Sequence, residues 1–201
     1  MARLRIVADQ NIPFLEAAFG HLGAITALPS SAIDAAAVRE ADLLLVRSTV
    51  KVGAPLLDGS RVRFVGSAVS GADHVDAAWL AGKGIAFASA PGSNAPSVAQ
   101  WWATAMLSVA ARRGEALAGK VVGIVGVGNV GRRIQAIAEA LGCRVMRCDP
   151  PRARVEGEAD FSTLDEVCWQ SDIVTLHAPL NAAGPDRTLR LFDAARIARL
   201  R

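Results

Sequence analysis

Three glycines, Gly126, Gly128 and Gly131, follow the apolar run "VVGIV" and lead into "NVGRRIQAIAEALG". In that second stretch Val130, Ile134, Ile137, Ala138 and Leu141 recur with a helical period. Glycines at this spacing between a strand and a helix serve three ends. The first permits a tight turn, the second lets backbone approach a pyrophosphate, and the third lets helix and strand pack closely. The helix N-terminus then offers free N–H groups and a partial positive charge to phosphates. The next apolar run, "CRVMRC", ends at Asp149. A carboxylate there can accept both hydroxyls of an adenosine ribose and would repel a 2′-phosphate, so the pattern predicts NAD rather than NADP. Arg147, Arg152 and Arg154 lie close enough in sequence to soften that preference.

A second group of reactive side chains follows the run "LLLV". Arg47, Ser48, Thr49 and Lys51 place a guanidinium, two hydroxyls and an ammonium at the end of a buried strand. Open α/β sheets bind ligands beyond the carboxyl ends of their strands. Such a set suits an anionic substrate, a phosphate among the candidates, or else forms a solvated loop with ordinary caps. Asp73, His74 and Asp76 have the types of an acid–base or metal cluster, yet their spacing suits the first turn of a helix over 75–82 with Asp73 as its cap. His177 ends the run "DIVTLH", where a structural and a functional role are equally open, and His21 reads as a helix-end residue.

Composition narrows the classes. The chain has 201 residues, is 52% hydrophobic and 5% aromatic, and carries a net charge of +3. That is ample material for a core and too apolar for disorder. Of its 22 basic residues all but Lys51, Lys83 and Lys120 are arginine, scattered as singles and pairs without interleaved aromatics, which argues against a nucleic-acid partner. Cys143, Cys148 and Cys168 match no metal or redox spacing, so reduced thiols and no metal are expected. "MARLRIVADQ" lacks a signal-peptide core, and the apolar segments break well short of a membrane span. A soluble cytoplasmic protein is expected.

These groups must be positioned by strands alternating with helices. Strands are predicted at 4–8, 24–28, 43–46, 63–69, 84–89, 121–126, 143–148 and 172–177, and helices at 13–21, 75–82, 129–141 and 163–170. The last helix opens with a capping box, Thr163 to Glu166. The alternation predicts parallel sheets with crossover helices. "ASAPGSNAPS" at 88–97 breaks the pattern before a long helix over 96–113, which places a domain boundary near 92–96.

"VADQNIP", "VRSTVKV", "FVGSAVSGADHVD", "SAPGSNA", "VGIVGVGNVGRR", "CDPPRA" and "LHAPLNAAGPDRTLRLFD" together resemble the D-2-hydroxyacid dehydrogenase family along essentially the whole chain. The stretches "VRST", "CDPPRA" and "GPDRTLRLFD" resemble its members that act on 4-phospho-D-erythronate. The resemblance implies an α/β protein: a flavodoxin-like N-terminal substrate domain over 1–94 and an incomplete Rossmann-type NAD-binding domain over 95–201, truncated after about three strands. It implies NAD-dependent oxidation of a phosphorylated hydroxy acid to the 2-oxo acid, in pyridoxal phosphate biosynthesis. It assigns Ser48 and position 69, with Arg47 and Lys51 beside them, to the substrate, and Gly126, Gly128, Asn129, Val130, Gly131, Asp149 and position 178 to NAD. Val69 and Ala178 stand where the family carries threonine, so side-chain hydrogen bonds are lost at both, with Ser70 a partial substitute for the first. The family's catalytic arginine, acid and histidine have no match here, so no catalytic residue is assigned and the chain is expected to be an inactive fragment of a homodimeric enzyme. A non-catalytic NAD sensor, akin to co-repressors of the wider superfamily, is the alternative. In the usual order 3-2-1-4-5-6, a sheet lacking its fourth strand leaves an apolar edge of "VVGIV" unpaired and prone to aggregation.

Overall fold

The computed structural model describes residues 3–200. The chain divides into two compact units, one reaching to Ser93 and the other starting at Asn94.

In the first unit β1 (Leu4–Asp9), β2 (Gly23–Leu28), β3 (Leu43–Val46), β4 (Phe64–Ser67) and β5 (Ala86–Ala88) form one sheet in the order β2-β1-β3-β4-β5. All its pairings are parallel. This is the flavodoxin-like order, with helices on both faces. The intervening helices are α1 (Leu15–Phe19), α2 (Ala35–Val38), α3 (Ala54–Leu57) and α4 (Ala77–Gly82). The central strands are runs of Ile, Leu and Val because both faces are covered. Ile6, Leu44 and Val65 are completely or almost completely buried.

The second unit opens with α5 (Ala95–Arg113), followed by β6 (Val121–Val125), α6 (Asn129–Ala140), β7 (Arg144–Cys148), α7 (Pro150–Glu156), α8 (Leu164–Gln170), β8 (Ile173–Leu176) and α9 (Ala194–Ile197). Ala99 and Trp102 of α5 pack with Ile134 and Ala138 of α6 against Val122 and Ile124 of β6. Thr163 caps α8 through the predicted capping box, with both reciprocal bonds to Glu166 present. Cys143, Cys148 and Cys168 are buried free thiols. Among the described residues, no helix is long and apolar enough to cross a membrane.

The sheet of the second unit corrects one expectation. Its order is β7-β6-β8, so β6 is hydrogen-bonded along both edges, and "VVGIV" has no unpaired side. The chain passes β7 without adding a third strand outside it. There the backbone of the passing chain meets that strand through Ser162 N–H, which donates to the Arg147 carbonyl at 2.7 Å. The run at 172–177 therefore lies against β6 rather than beyond β7. One cap also differs. Asp76, not Asp73, caps α4, accepting from Trp79 N–H at 3.0 Å. The single turn of α9 is capped by Asp193, which accepts from Arg196 N–H at 2.9 Å.

All five residues of β6 are buried. Backbone amides that are buried and paired on both edges open only with the unit itself. The Val122 and Ile124 amides should therefore be among the slowest to exchange in the second unit. Hydrogen exchange read by NMR checks this, and fast exchange at β6 would remove β8 from its edge.

Candidate functional site

The three glycines sit where β6 meets α6. Gly126 has φ +87°, and a Cβ there would lie 2.5 Å from the Ala178 nitrogen and 2.6 Å from the His177 carbonyl carbon. Only glycine fits a left-handed turn pressed so closely against the end of β8. A Cβ on Gly128 would meet nothing within 4 Å, so that glycine leaves the turn open to whatever approaches. A Cβ on Gly131 would lie 2.2 Å from the Gly126 carbonyl oxygen, which seats the first turn of α6 directly on the strand end. No side chain caps α6. Asn129 and Val130 begin it, so their backbone N–H groups and that of Gly131 belong to the uncapped first turn. The geometry fits an anion at a helix N-terminus.

Asp149 ends the neighbouring strand and holds this turn. Its Oδ2 accepts from Val127 N–H at 2.8 Å, and its Oδ1 accepts from Arg152 N–H at 3.2 Å, capping α7. From the other side Arg152 Nη1 donates to the Val127 carbonyl at 2.5 Å. The Val127 side chain is fully buried in the core. Beyond the strand ends lies a mostly apolar cleft of about 160 Å³, lined by Gly126, Asp149, Pro150, Ala178, Asn181 and Leu191 among others. Its far wall is a loop closed on itself: Asn181 N–H donates to Thr188 Oγ1 at 2.7 Å, and Thr188 N–H donates to the Asn181 carbonyl at 2.9 Å.

Each of the three arginines close to Asp149 in sequence has an acid. Arg147 pairs with Asp160 at 3.6 Å, Arg152 with Glu156 at 2.6 Å and Arg154 with Asp186 at 2.6 Å. His177, half-buried, shares a 2.8 Å hydrogen bond between Nε2 and Thr175 Oγ1 of its own strand. Burial pushes its imidazole below the usual value, towards the neutral form.

In the first unit Arg47, Ser48 and Thr49 follow β3 as an exposed turn closed by Val50 N–H donating to the Arg47 carbonyl at 3.2 Å. Behind them lies a network that sequence reading passed over. Thr49 Oγ1 donates to Ser30 Oγ at 2.9 Å, and Ser30 Oγ donates to Asp9 Oδ2. Asp9 Oδ1 accepts from Asn11 N–H at 2.9 Å and Asn11 Nδ2 at 3.2 Å. Asp9 is completely buried at the end of β1. Burial raises its carboxyl, but bonds from Ser30 and Asn11 and the Arg47 charge outweigh that, so it titrates below the usual value. The available signal was an acid ending the apolar run "LRIVAD" with Asn11 two residues on; Ser30 and Thr49 lie too far along the chain to be read with it.

Lys51 is exposed and shares an open groove with Asp73 and His74. Val69 is half-buried, and its carbonyl accepts from Ala90 N–H at 3.2 Å. His74 does not join a reactive cluster. It is 3% exposed, with Nε2 bonded to Ser67 Oγ at 3.1 Å, while Asp73 is an exposed residue. Burial lowers its pKa, with the Lys51 charge adding and the Asp73 charge opposing. Among the described residues, no group of three or more His, Cys, Asp or Glu side chains is placed to hold a metal. His21 lies exposed just beyond α1.

Residues 93–201 match the model of the D-isomer specific 2-hydroxyacid dehydrogenase NAD-binding domain. The chain is 48% identical to the erythronate-4-phosphate dehydrogenase of Citrobacter koseri, over 98% of this chain and 52% of that protein. It is 52% identical to the erythronate-4-phosphate dehydrogenase of Chromohalobacter salexigens, over 96% of this chain and 51% of that protein. It thus spans about half the length of the curated relatives it matches. In fold it is similar to the NAD⁺-bound 3-phosphoglycerate dehydrogenase of Entamoeba histolytica, with a TM-score of 0.78 at 24% identity over 100% of this chain and 69% of that one.

Two outcomes follow from these contacts. Gly131→Ala should destabilise the second unit by about 1–3 kcal/mol or more, because the clash is with backbone that cannot swing aside; urea denaturation measures it, and a wild-type midpoint would contradict the packing. Asp9→Ala should cost about 2–3 kcal/mol at pH 7, the scale for hydrogen bonds to a charged group. Because the folded-state pKa is lowered, this stabilisation is present above the unfolded value and lost as pH falls through the folded one. The gap between the two proteins should therefore narrow below about pH 4. Parallel stability curves down to pH 2 would contradict the Asp9 assignment.

Proposed function

Because the chain belongs to the D-isomer specific 2-hydroxyacid dehydrogenase family, we propose that its second unit binds NAD and its first unit binds a phosphorylated 2-hydroxy acid. The substrate we assign is 4-phospho-D-erythronate, oxidised at C2 to the 2-oxo acid on the way to pyridoxal phosphate. The observation that carries the reading is the glycine turn, open at Gly128, shut at Gly131, and pinned to Asp149 through Val127.

The residues fit the cofactor. The uncapped first turn of α6 would hold the pyrophosphate. Asp149 has spent one oxygen on Val127 N–H and the other on Arg152 N–H, yet a carboxylate offers about four acceptor sites, so it can still receive ribose hydroxyls. Pro150 and Leu191 line the apolar cleft that would take the adenine, with Ala178 supplying backbone beside it. NAD, when bound, supplies the hydride acceptor for the C2 hydrogen. Arg47, Ser48 and Lys51 would hold the anionic groups of the substrate by charge and hydrogen bonding. Val69 offers no side-chain donor, so any contribution there comes from backbone. Neither His74 nor His177 is assigned to proton transfer; Nε2 of each bonds a hydroxyl, that of Ser67 and of Thr175.

Calorimetry tests the reading directly. The chain should bind NAD, and Asp149→Ser should weaken that binding by about 1–3 kcal/mol, the range for hydrogen bonds to a charged acceptor. Ser48→Ala should weaken binding of 4-phosphoerythronate while leaving NAD affinity as it was. Loss of neither ligand in the two variants would return both strand ends to purely structural roles.

A further inference from the structure

We propose that Glu156 is a cofactor-specificity residue: by holding the Arg152 guanidinium in a two-point pair, it denies that guanidinium to the 2′-phosphate of NADP. The inference rests on the glycine turn being the cofactor site, as proposed above.

Asp149 alone is a compromised discriminator. Both of its oxygens are engaged by backbone N–H groups, which spread its charge, and Arg152 stands three residues along the same helix. An arginine at this place is what lets a dinucleotide site accept a 2′-phosphate. Arg147 and Arg154 do not touch the glycine turn. Arg147 lies on the Phe161 ring, 5.0 Å from its centroid, and donates to the Asp160 carbonyl at 3.1 Å. Arg154 is drawn to Asp186 on the far wall of the cleft. Arg152 alone of the three reaches the turn, through its bond to the Val127 carbonyl.

Glu156 meets that guanidinium at two points. Arg152 Nε donates to Oε1 at 2.6 Å and Nη2 donates to Oε2 at 2.7 Å. With Nη1 on the Val127 carbonyl, each of its three nitrogens is committed. Planar two-point pairing matches the fork of the guanidinium to the carboxylate and competes with a phosphate for the same donors. The bonds from Arg152 and the nearby charges of Arg147 and Arg132 hold the Glu156 carboxyl below the usual range, so it stays ionised at neutral pH. Glu156 thus does two things to a 2′-phosphate, both through Arg152: it takes two of the N–H donors that would receive the phosphate, and it offsets the guanidinium charge that would attract it.

Replacing the carboxylate by its amide removes the charge and keeps the shape. Glu156→Gln in the 201-residue chain should lower the ratio of the NADP to the NAD dissociation constant about tenfold, read by calorimetry with each dinucleotide alone. Glu156→Ala should act in the same direction. The double variant Glu156→Gln with Arg152→Gln should restore the original ratio, because the released guanidinium is gone. A merely structural Glu156 would shift both dissociation constants together and leave the ratio fixed in all three proteins, and that result overturns the proposal. If the unmutated chain binds NAD in no measurable amount, the cofactor reading itself falls and this inference with it. Binding with an unchanged ratio sinks this inference alone.

Discussion

The backbone of one residue, Val127, carries the organisation of the second unit. The Val127 N–H is held by Asp149 Oδ2 and the Val127 carbonyl by Arg152 Nη1, while its side chain is buried in the core. A glycine-rich turn has little intrinsic preference for one conformation. Here that freedom is removed by two charged side chains arriving from the next strand and helix. The turn, the end of β7 and the start of α7 therefore stand or fall together. The opening at Gly128 is useful to a ligand only because Val127 beside it cannot move.

The first unit solves the same problem by the same means. Each sheet sets an aspartate at a strand end whose carboxylate accepts from loop and helix-end backbone: Asp9 receives Asn11 N–H, and Asp149 receives Val127 and Arg152 N–H. Parallel strands point their carboxyl ends at loops that must be both irregular and rigid, and such loops leave N–H groups without ladder partners. A strand-terminal carboxylate satisfies several at once. In the first unit the chain of bonds continues through Ser30 to Thr49, so the exposed turn carrying Arg47 and Ser48 is tied to a buried anchor.

All eight strands were legible from apolar runs punctuated by glycine, proline and polar residues, with no boundary shifting by more than two residues. The capping box at Thr163 was legible too, because its two partners are three residues apart. What sequence did not disclose was pairing. The usual strand order assigned the third apolar run to the outside of β7, yet residues 158–163 cross there as a turn with no strand ladder, and the run lands on β6. Single-turn helices such as α2 and α3 were illegible because four residues cannot show a 3.6-residue period. The Asp9 network was missed for a related reason: Asp9, Ser30 and Thr49 lie in three segments far apart in the chain, and no local spacing links them. The glycine turn and Asp149, by contrast, follow one another along a single strand–helix–strand passage.

The far wall of the cleft shows how a side chain can be lost from such a site without losing the site. Ala178 has no hydroxyl to offer, but its backbone nitrogen is pressed against Gly126, and that contact is fixed by the turn and by β8 rather than by its own side chain. Beyond it, Asn181 and Thr188 close the loop on each other, and Leu191 and Phe192 pack into the cluster around Val125, Cys148 and Val167. The wall is thus set by bonds inside the loop and by two apolar anchors at its end. Removing one hydroxyl at its start subtracts a contact and leaves the shape. The opposite holds at Gly131, where adding one methyl group would push directly on the turn that everything else is built around.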